Sequence, residues 1–107
     1  MKGKISIVDG NNIRQFEHTE IIRLEACGIY SIIHVKNSDP IKIPKPMNWM
    51  LEQLPSDIFI RVHRSHAINL FELRWLERGR GGKLKLSNGH EVPVSVRLKA
   101  SLRRKIR

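Results

Sequence analysis

Between Arg61 and Asn69 the chain concentrates groups that could do chemistry: Arg61, His63, Arg64, Ser65, His66 and Asn69. Burying such groups without partners costs roughly 2–7 kcal/mol each. They therefore bond one another and the backbone in a hairpin corner, or some face a polar partner. Metal binding is the first chemistry to weigh. His63 and His66, with Cys27 as a third ligand, could hold zinc, but a zinc site needs three or four ligands with supporting partners. Two histidines three apart on one strand also point to opposite faces, so no metal or other cofactor is expected and His63 reads as a buried, hydrogen-bonded strand residue. Gly79-Arg80-Gly81-Gly82-Lys83 suggests a phosphate loop, yet it lacks the spacing, the Ser/Thr after lysine and the following helix. It reads as a loose hairpin loop. No nucleophile has a base and an orienting group, Cys27 has no basic neighbour to depress its pKa, and no carboxylate cluster could hold Mg²⁺. The chain is not read as an enzyme.

The elements that must position these groups are mostly strands. Ile58 to Val62 is β-branched and aromatic, as suits a half-buried pleated surface. A polar break at His63-Arg64-Ser65 follows, and then an extended run to Leu70. Upstream, Lys4 to Val8, Ile13 to Phe16, Glu20 to Glu25, Ile29 to Val35 and Ile41 to Ile43 read as strands, separated by turn chemistry such as Asp9-Gly10-Asn11-Asn12. Pro46 opens a short helix, with Met47, Met50, Leu51 and Leu54 on one face as core. Pro55 ends it. Downstream, Leu73 to Glu77 and Lys83 to Leu86 are strands. A three-residue Ser87-Asn88-Gly89 loop pairs Leu86 with His90 and Leu84 with Val92, which keeps the apolar face together. Gly89 should be left-handed at a G1 bulge. Pro93 then faces outward, on an edge strand or strand end. Ser95 caps a final helix with Leu98, Leu102 and Ile106 on one face. The chain reads as mainly β, with one short central helix and a short C-terminal helix.

Charge narrows the function. The formal net charge of +10 is carried entirely by the second half. Residues 1–60 hold seven Lys+Arg and seven Asp+Glu, whereas residues 61–107 hold thirteen Lys+Arg against Glu72, Glu77 and Glu91. A neutral half bearing a basic half suits a polyanionic partner. An anionic membrane would call for a longer amphipathic helix than Leu98 to Ile106 offers, and no membrane insertion is expected. The 107 residues suit one small domain spanning 1–107. A lone cysteine fits a reducing compartment, so a cytoplasmic location is expected. A rival reading is a small basic RNA-binding or ribosome-associated β protein. It would want exposed aromatics for stacking, and the six aromatics fall mostly at core-like positions.

Three ordered motifs carry a resemblance. Phe59-x-Arg61-Val62-His63-Arg64-Ser65-x-x-Ile68-Asn69 resembles the signature of the LytTR DNA-binding domain of bacterial response regulators. Glu20-Ile21-Ile22-x-Leu24-Glu25-Ala26-x-x-x-Tyr30 resembles the family's early strand and first recognition loop. Leu86-Ser87-Asn88-Gly89-x-x-Val92-Pro93-Val94-Ser95 resembles its late hairpin. The match runs from about Ile5 to Ile106. The resemblance implies an elongated stack of small antiparallel sheets that presents loops, rather than a recognition helix, to double-stranded DNA. It implies contacts from Tyr30 and Ser31, from Arg64, and from Ser95, Arg97 and Lys99. Tyr30 stands where the family often carries histidine or lysine, and can donate to phosphate. Arg64 and Arg97 are apt in their own right, since arginine bonds guanine O6 and N7 bidentately. Arg61 reads as an internal ion-pairing or backbone-bonding residue. Arg80, Lys83, Arg103, Arg104, Lys105 and Arg107 are expected to supply phosphate contacts without sequence preference. The sequence offers no large apolar self-interface, so the free domain is expected to be monomeric, and the resemblance implies dimers on paired direct repeats. Nothing resembling a receiver or sensor precedes Ile5. Two organisations fit: a free-standing regulator controlled by a partner protein, a membrane protein among the candidates, or a piece of a larger regulator.

Overall fold

The computed structural model describes residues 3–106. Its organising unit is a five-stranded antiparallel sheet, apolar on both faces over much of its area. The strands are β1 (Lys4–Asp9), β2 (Asn12–Glu17), β3 (Ile21–Cys27), β4 (Tyr30–Val35), β5 (Ile41–Ile43), β6 (Phe59–His63), β7 (His66–Asn69), β8 (Leu73–Leu76), β9 (Lys83–Leu86) and β10 (Glu91–Pro93). Helix α1 spans Met47–Glu52 and α2 spans Val96–Ile106. The central sheet has the order β5-β4-β3-β7-β6. A β1-β2 hairpin and a β10-β9-β8 sheet complete the stack. The molecule measures 46 × 30 × 23 Å, so the expected elongated, mainly β architecture is present.

Two cores explain why the β3 sequence does not alternate cleanly. One face of the central sheet packs Leu24, Ile33, Ile43 and Ala67 against Ile5, Ile7 and Phe16 of the hairpin and Met47, Met50 and Leu54 around α1. The other face packs Ile22, Ile60, Val62 and Ile68 against Leu84, Leu86, Val92, Val94 and Leu102. A strand buried on both sides reads as a continuous apolar run. Ile21-Ile22-x-Leu24 is that run: Ile21 and Ile22 alternate into different cores, and a bulge between Ile21 and Arg23 returns Leu24 to the core of Ile21.

The late hairpin forms as the sequence requires. Leu84 pairs with Val92, Leu86 N–H donates to the His90 carbonyl at 3.0 Å, and Gly89 N–H donates to Leu86 at 2.9 Å. Gly89 has φ +86°, a left-handed conformation that disfavours any side chain. Pro93 is exposed on β10, an edge strand. One expectation is corrected. His63 and His66 do not share a strand but face each other across the β6-β7 pair, with ring centroids 5.4 Å apart. The chain reverses at Arg64-Ser65, which brings the two rings to the same face. His63 is half-buried rather than fully buried. Among the described residues, no group of three or more His, Cys, Asp or Glu is placed to hold a metal ion.

Candidate nucleic-acid interface

The antiparallel order places two turns at the same end of the central sheet. The β3-β4 turn (Cys27 to Tyr30) neighbours the β6-β7 turn (Arg64-Ser65), because β3 pairs with both β4 and β7. Ala26 N–H donates to the Ser65 carbonyl at 2.9 Å, joining them. Gly28, at φ +62°, makes the first turn tight. Beyond β6, Ser95 N–H donates to the Val62 carbonyl at 2.8 Å, which sets the start of α2 beside the same edge. The Ser95 hydroxyl accepts from Leu98 N–H at 3.1 Å, so Ser95 is the helix cap. Two turns two strands apart stand about 10 Å from one another, close to the ~12 Å width of a DNA major groove.

The Arg64 turn is braced from within. Arg61 donates to Asn48 Oδ1 of α1 at 2.6 Å and to the Arg64 carbonyl at 2.5 Å. His63 Nδ1 accepts from Ser65 N–H at 3.1 Å. Arg61 is therefore the backbone-bonding residue expected. The Arg64 guanidinium is exposed and, among the described residues, has no hydrogen-bond or ion-pair partner. The same holds for Arg97. Tyr30 is exposed at the neighbouring turn, with Lys42 Nζ 4.6 Å from its ring centroid. Lys42 thus joins this edge. It comes from β5 through the β4-β5 pairing, which no local spacing announces.

Other expected contact residues are engaged elsewhere. Ser31 is fully buried and its hydroxyl donates to the Lys45 carbonyl at 2.8 Å. It secures the segment between β5 and α1 and does not face outward, because the side chain after Tyr30 must point to the opposite face. Lys99 is also buried. Its ammonium donates to the Gly81 carbonyl at 2.5 Å and tethers the glycine-rich loop to α2. That loop is consequently docked rather than loose, and it carries Arg80 beside Arg103 along α2. Lys83 is exposed but paired with Glu91 at 2.8 Å, an interaction that raises its pKa through the hydrogen bond and the opposite charge. Arg103, Arg104 and Lys105 are exposed on the last turns of α2. Arg107 lies outside the described residues. Of the six aromatics three are exposed, Tyr30, Phe71 and Trp75, more than core-like positions predicted. They sit at one end of the central sheet, at the other end and on the third sheet respectively, so they form no stacking track.

A polar cluster between the sheets was invisible to motif reading. Arg23 Nε donates to His90 Nδ1 at 3.2 Å, and its Nη1 lies 3.5 Å from Glu25 Oε1 and 3.4 Å from His66 Nδ1. His34 Nε2 contacts Glu25 Oε1 at 3.0 Å. The groups come from β3, β4, β7 and the β9-β10 turn, so only the tertiary fold assembles them. Burial pulls the Arg23 pKa below its ordinary value, opposed by the Glu25 charge. Burial likewise lowers His34 and His66, aided by the Arg23 charge, though Glu25 opposes it. Desolvation pushes Glu25 up, but the His34 hydrogen bond and the Arg23 charge outweigh it and leave the carboxyl below its usual range.

A small-sheet stack with an exposed, unpaired arginine on an anchored turn and another at the start of α2 presents a surface suited to a polyanionic partner. The chain belongs to the LytTR DNA-binding domain family, whose model matches residues 11–107. DNA is therefore its partner, in the setting of transcription regulation. The fold is that of the LytTr DNA-binding domain of a methyl-accepting/DNA response regulator from Bacillus cereus. That match has a TM-score of 0.80 at 20% identity and covers 99% of this chain and 98% of the other. Comparison with curated proteins finds no match. Among the described residues, no helix is long and apolar enough to cross a membrane.

Proposed function

We propose that this chain is a sequence-specific reader of double-stranded DNA, acting as a bacterial transcription regulator through its turns. The observation that carries the reading is the braced Arg64 turn. Its backbone is held by Arg61, His63 and Ala26, while its guanidinium has no partner among the described residues. Preorganised backbone with an unsatisfied donor fork is what base recognition requires. Arg64 and Arg97 discriminate bases, and Tyr30 and Lys42 contact the adjacent phosphates. Arg80, Arg103, Arg104 and Lys105 supply affinity that depends on salt rather than sequence. Residues 1–107 act as one DNA-binding domain in the cytoplasm, monomeric when free and paired on direct repeats, and control comes either from a partner protein or from the rest of a larger regulator.

Selection of bound sequences from a random duplex pool tests this directly, and a recurrent motif is the expected result. On that motif Arg64→Ala and Arg97→Ala each lose about 1–3 kcal/mol, with a smaller loss on scrambled duplex. Replacing Arg103, Arg104 and Lys105 together weakens both duplexes and flattens the salt dependence. Equal losses on both duplexes for Arg64→Ala and Arg97→Ala, with folding intact, would place base reading elsewhere.

A further inference from the structure

A second surface lies on the flank of the third sheet. Strand β8 is hydrogen-bonded only to β9 and forms the free edge of its sheet. Beside it, Leu73, Trp75, Leu76 and Ile106 line a groove of about 340 Å³. Trp75 and Ile106 remain 39% and 43% exposed. An edge strand beside an apolar floor is a template for an added strand. The rim is basic. Arg74, Arg78 and Arg103 border the groove, and its one acid, Glu77, is engaged by Lys83 N–H at 3.0 Å.

We propose that this groove docks an extended acidic segment of a partner protein, which adds as a strand along β8 and places its apolar side chains on Trp75. Charge and position select that occupant. A second copy of this chain would bring the same arginines together on a molecule of net charge +10. A duplex held by Arg64 and Arg97 is read about 13 Å away, nine helical rises from Ile106, and reaches this end of α2 only through backbone phosphates, which offer no apolar group to the Trp75 floor. Alternating acidic and apolar side chains satisfy rim and floor at once, because successive residues of a strand face opposite sides.

The test uses the full chain and a peptide of about eight residues alternating valine and glutamate, against a control of equal composition with its glutamates grouped at one end. Amide and indole shifts measured by NMR should move at Leu73 to Arg78 and Ile106, and the alternating peptide should bind roughly tenfold more tightly than the control. Trp75→Ala and Arg78→Glu should each abolish that preference, while Trp75→Ala retains the affinity for duplex DNA. Equal binding of both peptides, or shifts confined to other surfaces, would overturn the proposal. So would a duplex that moves the Trp75 indole as strongly, which makes nucleic acid the occupant, or a concentration-dependent dimer that protects it, which makes a second copy the occupant.

Discussion

Arg23 and Arg64 show one side chain put to opposite uses within one sheet. Arg23 is buried between layers and touches Glu25, His66 and His90. Arg64 sits at a turn whose backbone is bonded on three sides while its guanidinium reaches solvent. Satisfying a charge internally spends its bonding capacity on the fold. Leaving it free on a rigid backbone keeps that capacity for a partner at little entropic cost. The residues to suspect of recognition are therefore not the polar groups with most neighbours, but those whose main chain is held and whose side chain is not.

That contrast can be broken most forcefully from the interior. Arg23→Met should reduce unfolding free energy by about 2–3 kcal/mol, because it leaves His66 and His90 without that partner and Glu25 with His34 alone. Urea unfolding measures it, and preference for specific over scrambled duplex should survive in the folded fraction. Arg61→Met should do the reverse: about 1–2 kcal/mol lost on the specific duplex through a slackened Arg64 turn, with a smaller change in stability. A stability loss matching that of Arg23→Met would erase the distinction between bracing and packing. Gly89→Ala should cost about 1 kcal/mol, since it strains the left-handed turn that delivers His90 to Arg23. An unchanged thermal midpoint would count against that role.

The smallest effect concerns pH. The unfolded chain protonates its histidines at their ordinary pKa, whereas His34 and His66 in the fold lie below theirs. Their contribution is present above about pH 6.5 and is lost as pH falls through the folded values. The depressed Glu25 carboxyl extends the loss below its ordinary range. Thermal midpoints should thus fall between about pH 7 and about pH 5. His34→Gln should flatten the profile and Arg64→Ala should leave it alone.

Local chemistry made much of this legible. The Ser87-Asn88-Gly89 loop followed from keeping Leu84 and Leu86 on one face with Val92, and the Ser95 cap from its place before an apolar helical stripe. Arg64 was marked at a polar break and Arg97 at the start of the final helix, both with the help of the LytTR resemblance, and both are exposed. Ser31 and Lys99 could not be excluded in advance, since their burial depends on a carbonyl fourteen residues downstream of one and eighteen upstream of the other. The Arg23 cluster joins residues as far as sixty-seven positions apart, and no spacing within a segment encodes such a meeting. His63 and His66 were misjudged by one detail, the exact point at which a strand turns back.

The hydrogen bond from Ala26 N–H to the Ser65 carbonyl has a consequence for descent with modification. It links the two turns through main-chain atoms alone, so their separation does not depend on which side chains they display. Substitutions at the exposed tips Ile29, Tyr30 and Arg64 can alter what the edge prefers while its spacing stays inherited. A lineage of such domains can diversify this edge one residue at a time on an unchanged backbone.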